Sequence, residues 1–171
     1  MPSGTRRRAS EPPMNALMIQ PEIAVAAIPV DERVWVPQAP GVCFRPLLLN
    51  TVSGGWCNLL RVRKSGVLSK HRHPMMVVGY VIKGKWSYRE HDWVATEGSF
   101  VYEPPGEVHT LEVPSDCPEM ITFFNIQGAM IYLNDANEQT GYEDVWTKLE
   151  MCRAHYAANG LGADYVDQFV R

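Results

Sequence analysis

Ten short runs of β-type residues, most of them ended by glycine or proline, leave this chain few ways to fold. They lie near 22–28, 32–36, 42–50, 55–63, 75–83, 85–93, 98–103, 108–113, 119–127 and 129–133. Turn residues fill the gaps: Pro40-Gly41, Ser53-Gly54-Gly55, Lys83-Gly84, Glu97-Gly98 and Pro104-Pro105-Gly106. Strands at this spacing, with no helical pattern between them, specify an antiparallel sandwich or barrel. A parallel sheet would need crossover helices for which the gaps have no room. The fold class is therefore mainly β.

With 171 residues, 46% of them hydrophobic, the chain can bury one core without staples. The cysteines, Cys43, Cys57, Cys117 and Cys152, form no CxxC pair and are too sparse for a disulfide scaffold. A reducing, cytoplasmic compartment fits them. A net charge of −3 speaks against holding nucleic acid by charge. No run approaches the ~20 apolar residues of a membrane-spanning helix. The opening MPSGTRRRAS has no apolar segment behind its arginines, so it does not read as a secretory signal. Residues 1–20 read as a disordered tail, 21–135 as the β domain and 136–171 as a helical extension.

That extension carries the one helical pattern. In residues 142–158, Val145, Leu149 and Cys152 recur at helical spacing, with Trp146 and Tyr156 near the same side. Thr140 is the expected N-cap, with Glu143 three residues on, and Gly160 the expected residue after the C-cap. The apolar face is expected to pack on the β domain of this chain or of a partner copy.

Chemistry concentrates between Gly66 and Val113. His71 and His73 are two apart, so on a strand both imidazoles point to one face. His109 follows the Pro104-Pro105-Gly106 turn, and from a neighbouring strand it would complete a facial set of three nitrogens. Such a set leaves positions open for a chelating substrate and O2.

These residues carry a resemblance. Gly66, His71-x-His73 and Gly84 resemble the first motif of the cupins, and Gly98, Pro104-x-Gly106 and His109 resemble the second. The resemblance implies a cupin jelly-roll β-barrel with a metal inside, held by His71, His73 and His109. The chain departs from the pattern at the first motif's glutamate, whose place falls at Val77 or Val78, and at the second motif's final Asn, which would be Val113. A three-histidine site brings no ligand charge, which suits an anionic chelate as substrate. More narrowly, HRHPMMVVGYVIKGKWSYREHDWVATEGSFVYEPPGEVHTLEVP and the ending AHYAANGLGADYVDQFVR are similar to the 2,4′-dihydroxyacetophenone dioxygenases. A fainter likeness is to the acetylacetone dioxygenases.

The resemblance implies an Fe(II)-dependent dioxygenase that takes a small carbonyl compound and O2. It would cleave a C–C bond next to the carbonyl of a hydroxyketone or diketone and give carboxylic acids. Imidazole suits Zn, Ni and Cu as well as Fe, and Zn, Ni or Mn is an alternative occupant of the protein as purified. A thiol dioxygenase, with Arg61 or Arg63 holding a substrate carboxylate, remains open. So do a zinc-binding sensor module without enzymatic activity and an isomerase or sugar-binding cupin. No dinucleotide fingerprint is present.

Two carboxylates are candidate catalytic residues. Glu103, six residues before His109, either orients an imidazole or ends a strand at the surface. Glu90 alternates with Trp86 and Tyr88. It is a fourth ligand or base if that face is the inner one, and a rim residue otherwise. Glu107, His91 and His155 read as loop, surface and helix-surface or structural residues. Trp56, Trp86, Tyr88, Trp93, Phe100, Tyr102, Phe123 and Phe124 read mostly as core, and Met75 and Met76 as packing near the site. Jelly-roll edges often pair, so a homodimer or homotetramer is expected.

Overall fold

The computed structural model describes residues 20–25 and 28–171, so the expected tail lies almost wholly outside the described residues. Twelve strands are described: β1 (Val36–Ala39), β2 (Val42–Leu49), β3 (Trp56–Val62), β4 (Gly66–Arg72), β5 (Val77–Lys83), β6 (Lys85–Tyr88), β7 (Ala95–Thr96), β8 (Phe100–Glu103), β9 (Val108–Val113), β10 (Met120–Ile126), β11 (Met130–Leu133) and β12 (Gln139–Glu143). They form two six-stranded sheets, ordered β1-β2-β3-β10-β5-β8 and β12-β11-β4-β9-β6-β7. The named strands pair antiparallel throughout. This is the expected cupin jelly roll, with the sheets as two facing layers rather than a closed ring. All four cysteines are free. Among the described residues, no helix is long and apolar enough to cross a membrane.

Period-two alternation builds the space between the layers. On β3, Trp56, Asn58 and Leu60 face inward to a cavity, while Leu59 and Arg61 face the other way. On that outer side Arg61 lies 4.1 Å over the Trp35 ring and 2.6 Å from Glu32. Trp56 and Trp86 are each at most 2% exposed and fill the core.

Several expectations change. The run at 22–28 forms no strand among its described residues, although Ile23 and Val25 pack against the core. Within 32–36, Glu32–Val34 is a 3-10 turn. Phe100 and Tyr102 are exposed because β8 is an edge strand whose alternate side chains face outward. Met75 and Met76 sit in the loop after β4 and are exposed, not packed inside.

The helix α1 runs from Val145 to Ala158. Its N-cap is Asp144, not Thr140, because Gln139–Glu143 is taken up by β12. Asp144 Oδ1 accepts from the Trp146 and Thr147 amides at 3.0 and 2.8 Å, and Thr147 Oγ1 accepts from the Asp144 amide. Gly160 follows the C-cap with φ +75°, as expected. Val145, Leu149, Cys152 and Tyr156 are buried on the chain's own β domain, while Trp146 faces outward. Lys148 shares the buried face, at 3% exposure.

Candidate metal centre

Strand register brings the three histidines together. His71 on β4 pairs directly with His109 on β9, so their side chains leave the same face side by side. His73 lies just past the end of β4 and keeps the facing of His71. All three are buried, and one ring nitrogen from each lies within 4.8 Å of the others. The ring centroids of His71 and His109 are 4.6 Å apart.

Local contacts set the imidazole orientations. His73 Nδ1 lies 3.1 Å from the Ala129 carbonyl, and His71 Nδ1 lies 3.4 Å from the Ser69 carbonyl. A carbonyl only accepts, so His73 Nδ1 carries the proton and its Nε2 keeps a free lone pair, while His71 Nδ1 also meets the Ser69 hydroxyl at 3.2 Å. His109 is fully buried, yet neither of its ring nitrogens has a hydrogen-bond partner. Its Nδ1 lies 4.0 Å from Glu107 Oε2. Glu107, half-buried, also reaches His91 Nε2 at 3.2 Å.

The charge missing at Val77 comes from across the strand pair. Val77 on β5 is buried and pairs with Glu103 on β8. Glu103 is 2% exposed, and its Oε2 lies 3.5 Å from His73 Nε2 and 3.4 Å from His109 Nε2. The histidines sit on one sheet and the carboxylate on the facing one. Tyr88 links them: its hydroxyl donates to Glu103 Oε1 at 2.6 Å, and its ring stacks on His109 at 3.9 Å. Glu103 Oε2 has no hydrogen-bond partner. Buried polar atoms without partners are rare, and here they converge on one point beside three neutral nitrogens. That donor set fits a divalent metal held by His71, His73 and His109, with Glu103 at its side.

The electrostatics agree. Burial holds His73 down to about 4 and His109 down to about 3, and holds His71 well below its usual value. All three are neutral, as metal ligands must be. Burial pushes Glu103 up to about 7, against the pull of the Tyr88 hydrogen bond. The Tyr88 phenol is pushed well above its usual range, first by burial and then by Glu103.

Glu90 is not brought to this point. The strand alternation ends at Tyr88, and Glu90 sits exposed in the turn beyond β6. Its carboxylate accepts from the Thr110 amide and hydroxyl, both at 2.7 Å. Arg61 and Arg63 stand elsewhere too, both engaged with Glu32. His155 accepts no metal role: its Nε2 bonds the Arg33 carbonyl at 2.9 Å. Tyr88 and Glu107 are the site residues that sequence reasoning passed over. Alternation with Trp86 marked Tyr88 as inward, and only the register showed what it faces.

The cluster opens on a cavity of about 450 Å³ between the sheets. His71, His73, Tyr88 and Glu103 form one polar end, with Leu60, Leu111, Phe124 and Ile126 among the apolar walls.

These proton affinities fix a pH dependence for the metal-free protein. The folded state refuses protons that unfolded histidines accept below 6.5, so stability is lost as pH falls from 6.5 through about 4. Glu103 acts oppositely: its contribution is full below 4.5 and is lost as pH rises through about 7. Three imidazoles outweigh one carboxyl. The melting temperature of chelator-treated protein should fall from pH 6.5 to 4.5, and fall less in His73→Ala. Equal slopes would show that His73 is already protonated in the fold.

Comparison with solved structures places this architecture. An RmlC-like cupin protein from Ralstonia eutropha JMP134 superposes with a TM-score of 0.73 at 29% identity, covering 81% of this chain and 91% of that one. A second protein with a cupin-like fold from the same organism gives 0.67 at 22% identity, over 70% and 75% of the two chains. An acetylacetone dioxygenase from Acinetobacter johnsonii gives 0.63 at 14% identity, over 78% and 94%. Comparison with curated protein sequences found no match. Because the ChrR cupin-like domain matches residues 24–131, well over half of its length, the chain belongs to that family of cupins.

Proposed function

We propose that the protein is an Fe(II)-dependent dioxygenase that cleaves a C–C bond beside the carbonyl of a small hydroxyketone or diketone. One observation carries the reading: three neutral, buried imidazoles and a carboxylate of raised proton affinity meet at the end of an apolar-walled cavity. The fold shared with an acetylacetone dioxygenase is consistent with it.

Iron held there would supply a Lewis acid for the substrate's oxygens and a path for electrons from the substrate, which is oxidised as its C–C bond breaks, to O2. The chain supplies the rest. His71, His73 and His109 hold the metal from one side and leave the cavity side open. Glu103 Oε2 is the proton acceptor for the substrate's hydroxyl or the acidic hydrogen beside its carbonyl. With Oε1 tied to Tyr88, Oε2 is the oxygen free to act. Burial raises the proton affinity of this carboxylate in the metal-free protein, in the direction that favours its taking a proton. Removing the proton makes the substrate an anionic chelate. Val77, short and apolar, leaves the neighbouring space to substrate where other cupins place a glutamate. Leu60, Leu111, Phe124 and Ile126 keep water from the reacting end.

O2 uptake with product mass analysis tests this. Iron-loaded protein should consume O2 with a hydroxyketone or diketone present and no added reductant. An aryl hydroxymethyl ketone should yield an aromatic acid and formate, each labelled from oxygen-18 gas. Zinc-loaded protein should be inactive. Uptake with small thiols alone would move the assignment to thiol oxidation. No uptake with any compound, together with tight zinc retention, would overturn the enzyme reading in favour of a metal-binding module.

A further inference from the structure

One ring of the metal centre lacks what the other two have. His73 Nδ1 has the Ala129 carbonyl at 3.1 Å and His71 Nδ1 has the Ser69 carbonyl at 3.4 Å, both of them backbone acceptors. His109 is fully buried, and neither of its ring nitrogens has a hydrogen-bond partner. Its Nε2 is the nitrogen turned to the centre, 3.4 Å from the same Glu103 oxygen that His73 Nε2 faces. A ring that gives its Nε2 lone pair to a metal carries its proton on Nδ1. That proton then needs an acceptor inside the protein, because the ring is shut off from solvent.

Glu107 stands on that side. It follows the Pro104-Pro105-Gly106 turn and lies two residues before His109, just ahead of β9. Its Oε2 is 4.0 Å from His109 Nδ1 and its Oε1 is 3.2 Å from His91 Nε2. The carboxylate thus lies between two imidazoles, one fully buried and one partly exposed. Two contacts keep it there. The Gly106 amide donates to the His73 carbonyl at 2.7 Å, which ties the turn to the backbone of another ligand. The His91 ring stacks on Trp93 at 5.3 Å, and Trp93 packs edge-on against Tyr88, whose ring lies on His109. The remaining gap to His109 is about 1 Å longer than an N–H···O hydrogen bond.

We infer that Glu107 is the positioning residue of His109: with metal on Nε2, its Oε2 accepts a hydrogen bond from Nδ1 while His91 holds Oε1. With the turn tied through its backbone, the Glu107 side chain alone makes the adjustment. The bond selects the tautomer with a free Nε2 and fixes the ring plane. It also brings negative charge to a set of three neutral nitrogens through the ring, not at the metal, so the cavity side stays open. A carboxylate behind an imidazole makes Nε2 the stronger donor. A carboxylate that only pinned its own turn through His91 would use Oε1 alone and would leave His109 indifferent to its removal. The inference rests on the three-histidine centre and not on which reaction that centre runs.

Zinc titration of the full chain, with NMR of its nitrogen-15-labelled histidines, tests the inference without turnover. In zinc-loaded wild type, His109 should be protonated at Nδ1, with a downfield proton signal that exchanges slowly with water. Glu107→Ala should bind zinc about 10–100-fold more weakly. Its His109 Nδ1 proton should move upfield and exchange faster, while the His73 Nδ1 proton, held by Ala129, stays where it is. Glu107→Gln keeps an oxygen acceptor and loses the charge, so both effects should be present and smaller. Unchanged zinc affinity in Glu107→Ala, or a His109 signal indifferent to the substitution, would overturn the inference and leave the metal centre standing. Zinc that shifts none of the three histidines would overturn the centre and the inference with it. Should Glu107→Ala not fold, wild type decides: zinc on His109 Nδ1, or an Nδ1 proton lost to fast exchange, would overturn the positioning role.

Discussion

Alanine at His71, His73 or His109 should each weaken metal affinity by more than about 100-fold, beyond the ~10–100-fold that loss of an outer orienting group costs, while the β signature of the fold survives. Each ring supplies one of three neutral nitrogens that converge within 4.8 Å, and among the described residues the cluster contains no other histidine. His109 separates metal loss from fold damage. In the metal-free protein both of its ring nitrogens are buried without partners. Leaving a buried polar group unsatisfied costs about 1–3 kcal/mol, comparable to the packing that the ring's removal gives up. Metal-free His109→Ala should therefore melt within a few degrees of metal-free wild type, and only the metal-loaded proteins should differ widely. Metal analysis of the purified variants, with melting curves before and after chelation, reads both effects. Full metal occupancy in the three variants would end the three-histidine assignment. Glu103→Gln is the internal comparison: it keeps every nitrogen and removes only the nearby charge, so its metal loss should be the smaller.

The histidines could be read from the sequence because strand geometry leaves little freedom. A spacing of two fixes a common face, and the Pro104-x-Gly106 turn returns the chain on the neighbouring strand with His109 in reach. The carboxylates were harder for the opposite reason. Their facing depends on where a strand stops and what the opposite sheet presents. Glu90 fits the alternation of Trp86 and Tyr88, but β6 ends at Tyr88 and the phase is lost in the turn. Glu103 looked like either a strand end or an orienting group, and its pairing with Val77 across β5 and β8 decides its surroundings. No pattern within one strand carries that information.

The same limit explains the helix. Thr140 and Glu143 have the spacing of a cap, yet Asp144 and Thr147 have a cap too, and pairing of β12 with β11 selects the second. Lys148 was invisible as a cavity residue because a lysine near a helix N-terminus ordinarily faces water. Only the packing of Gln38 on β1, Phe44 on β2 and Glu143 on β12 around it makes it an inner group. The outward Phe100 and Tyr102 show the converse, since aromatic residues on an edge strand satisfy β-propensity without being core.

Gly84→Ala should destabilise the fold by about 2–5 kcal/mol, the sum of a left-handed backbone penalty of about 1–2 and a steric term of about 1–3. Gly84 stands between β5 and β6, where the chain leaves one sheet and enters the other. The crossing needs φ +75°, which residues with a Cβ rarely adopt. It also needs close approach. A Cβ there would run into the Glu119 carbonyl oxygen and lie 2.8 Å from Cys117 Sγ. The obstacle on one side is backbone, so no side-chain rotation relieves it. The Gly84 amide meanwhile donates to Glu97 Oε1 at 3.0 Å, so the hinge cannot simply swing away. Against a total stability of about 5–15 kcal/mol, such a loss is a large share. Gly98→Ala provides the contrast. Its φ is +84°, but nothing lies within 4 Å of an added Cβ, so only the backbone penalty of about 1–2 kcal/mol applies. Urea unfolding of both variants beside wild type measures the difference. Equal losses would mean that the Gly84 turn relaxes around a methyl group. A loss two to three times larger at Gly84 would show why the closing glycine of the first motif sits where the two sheets meet.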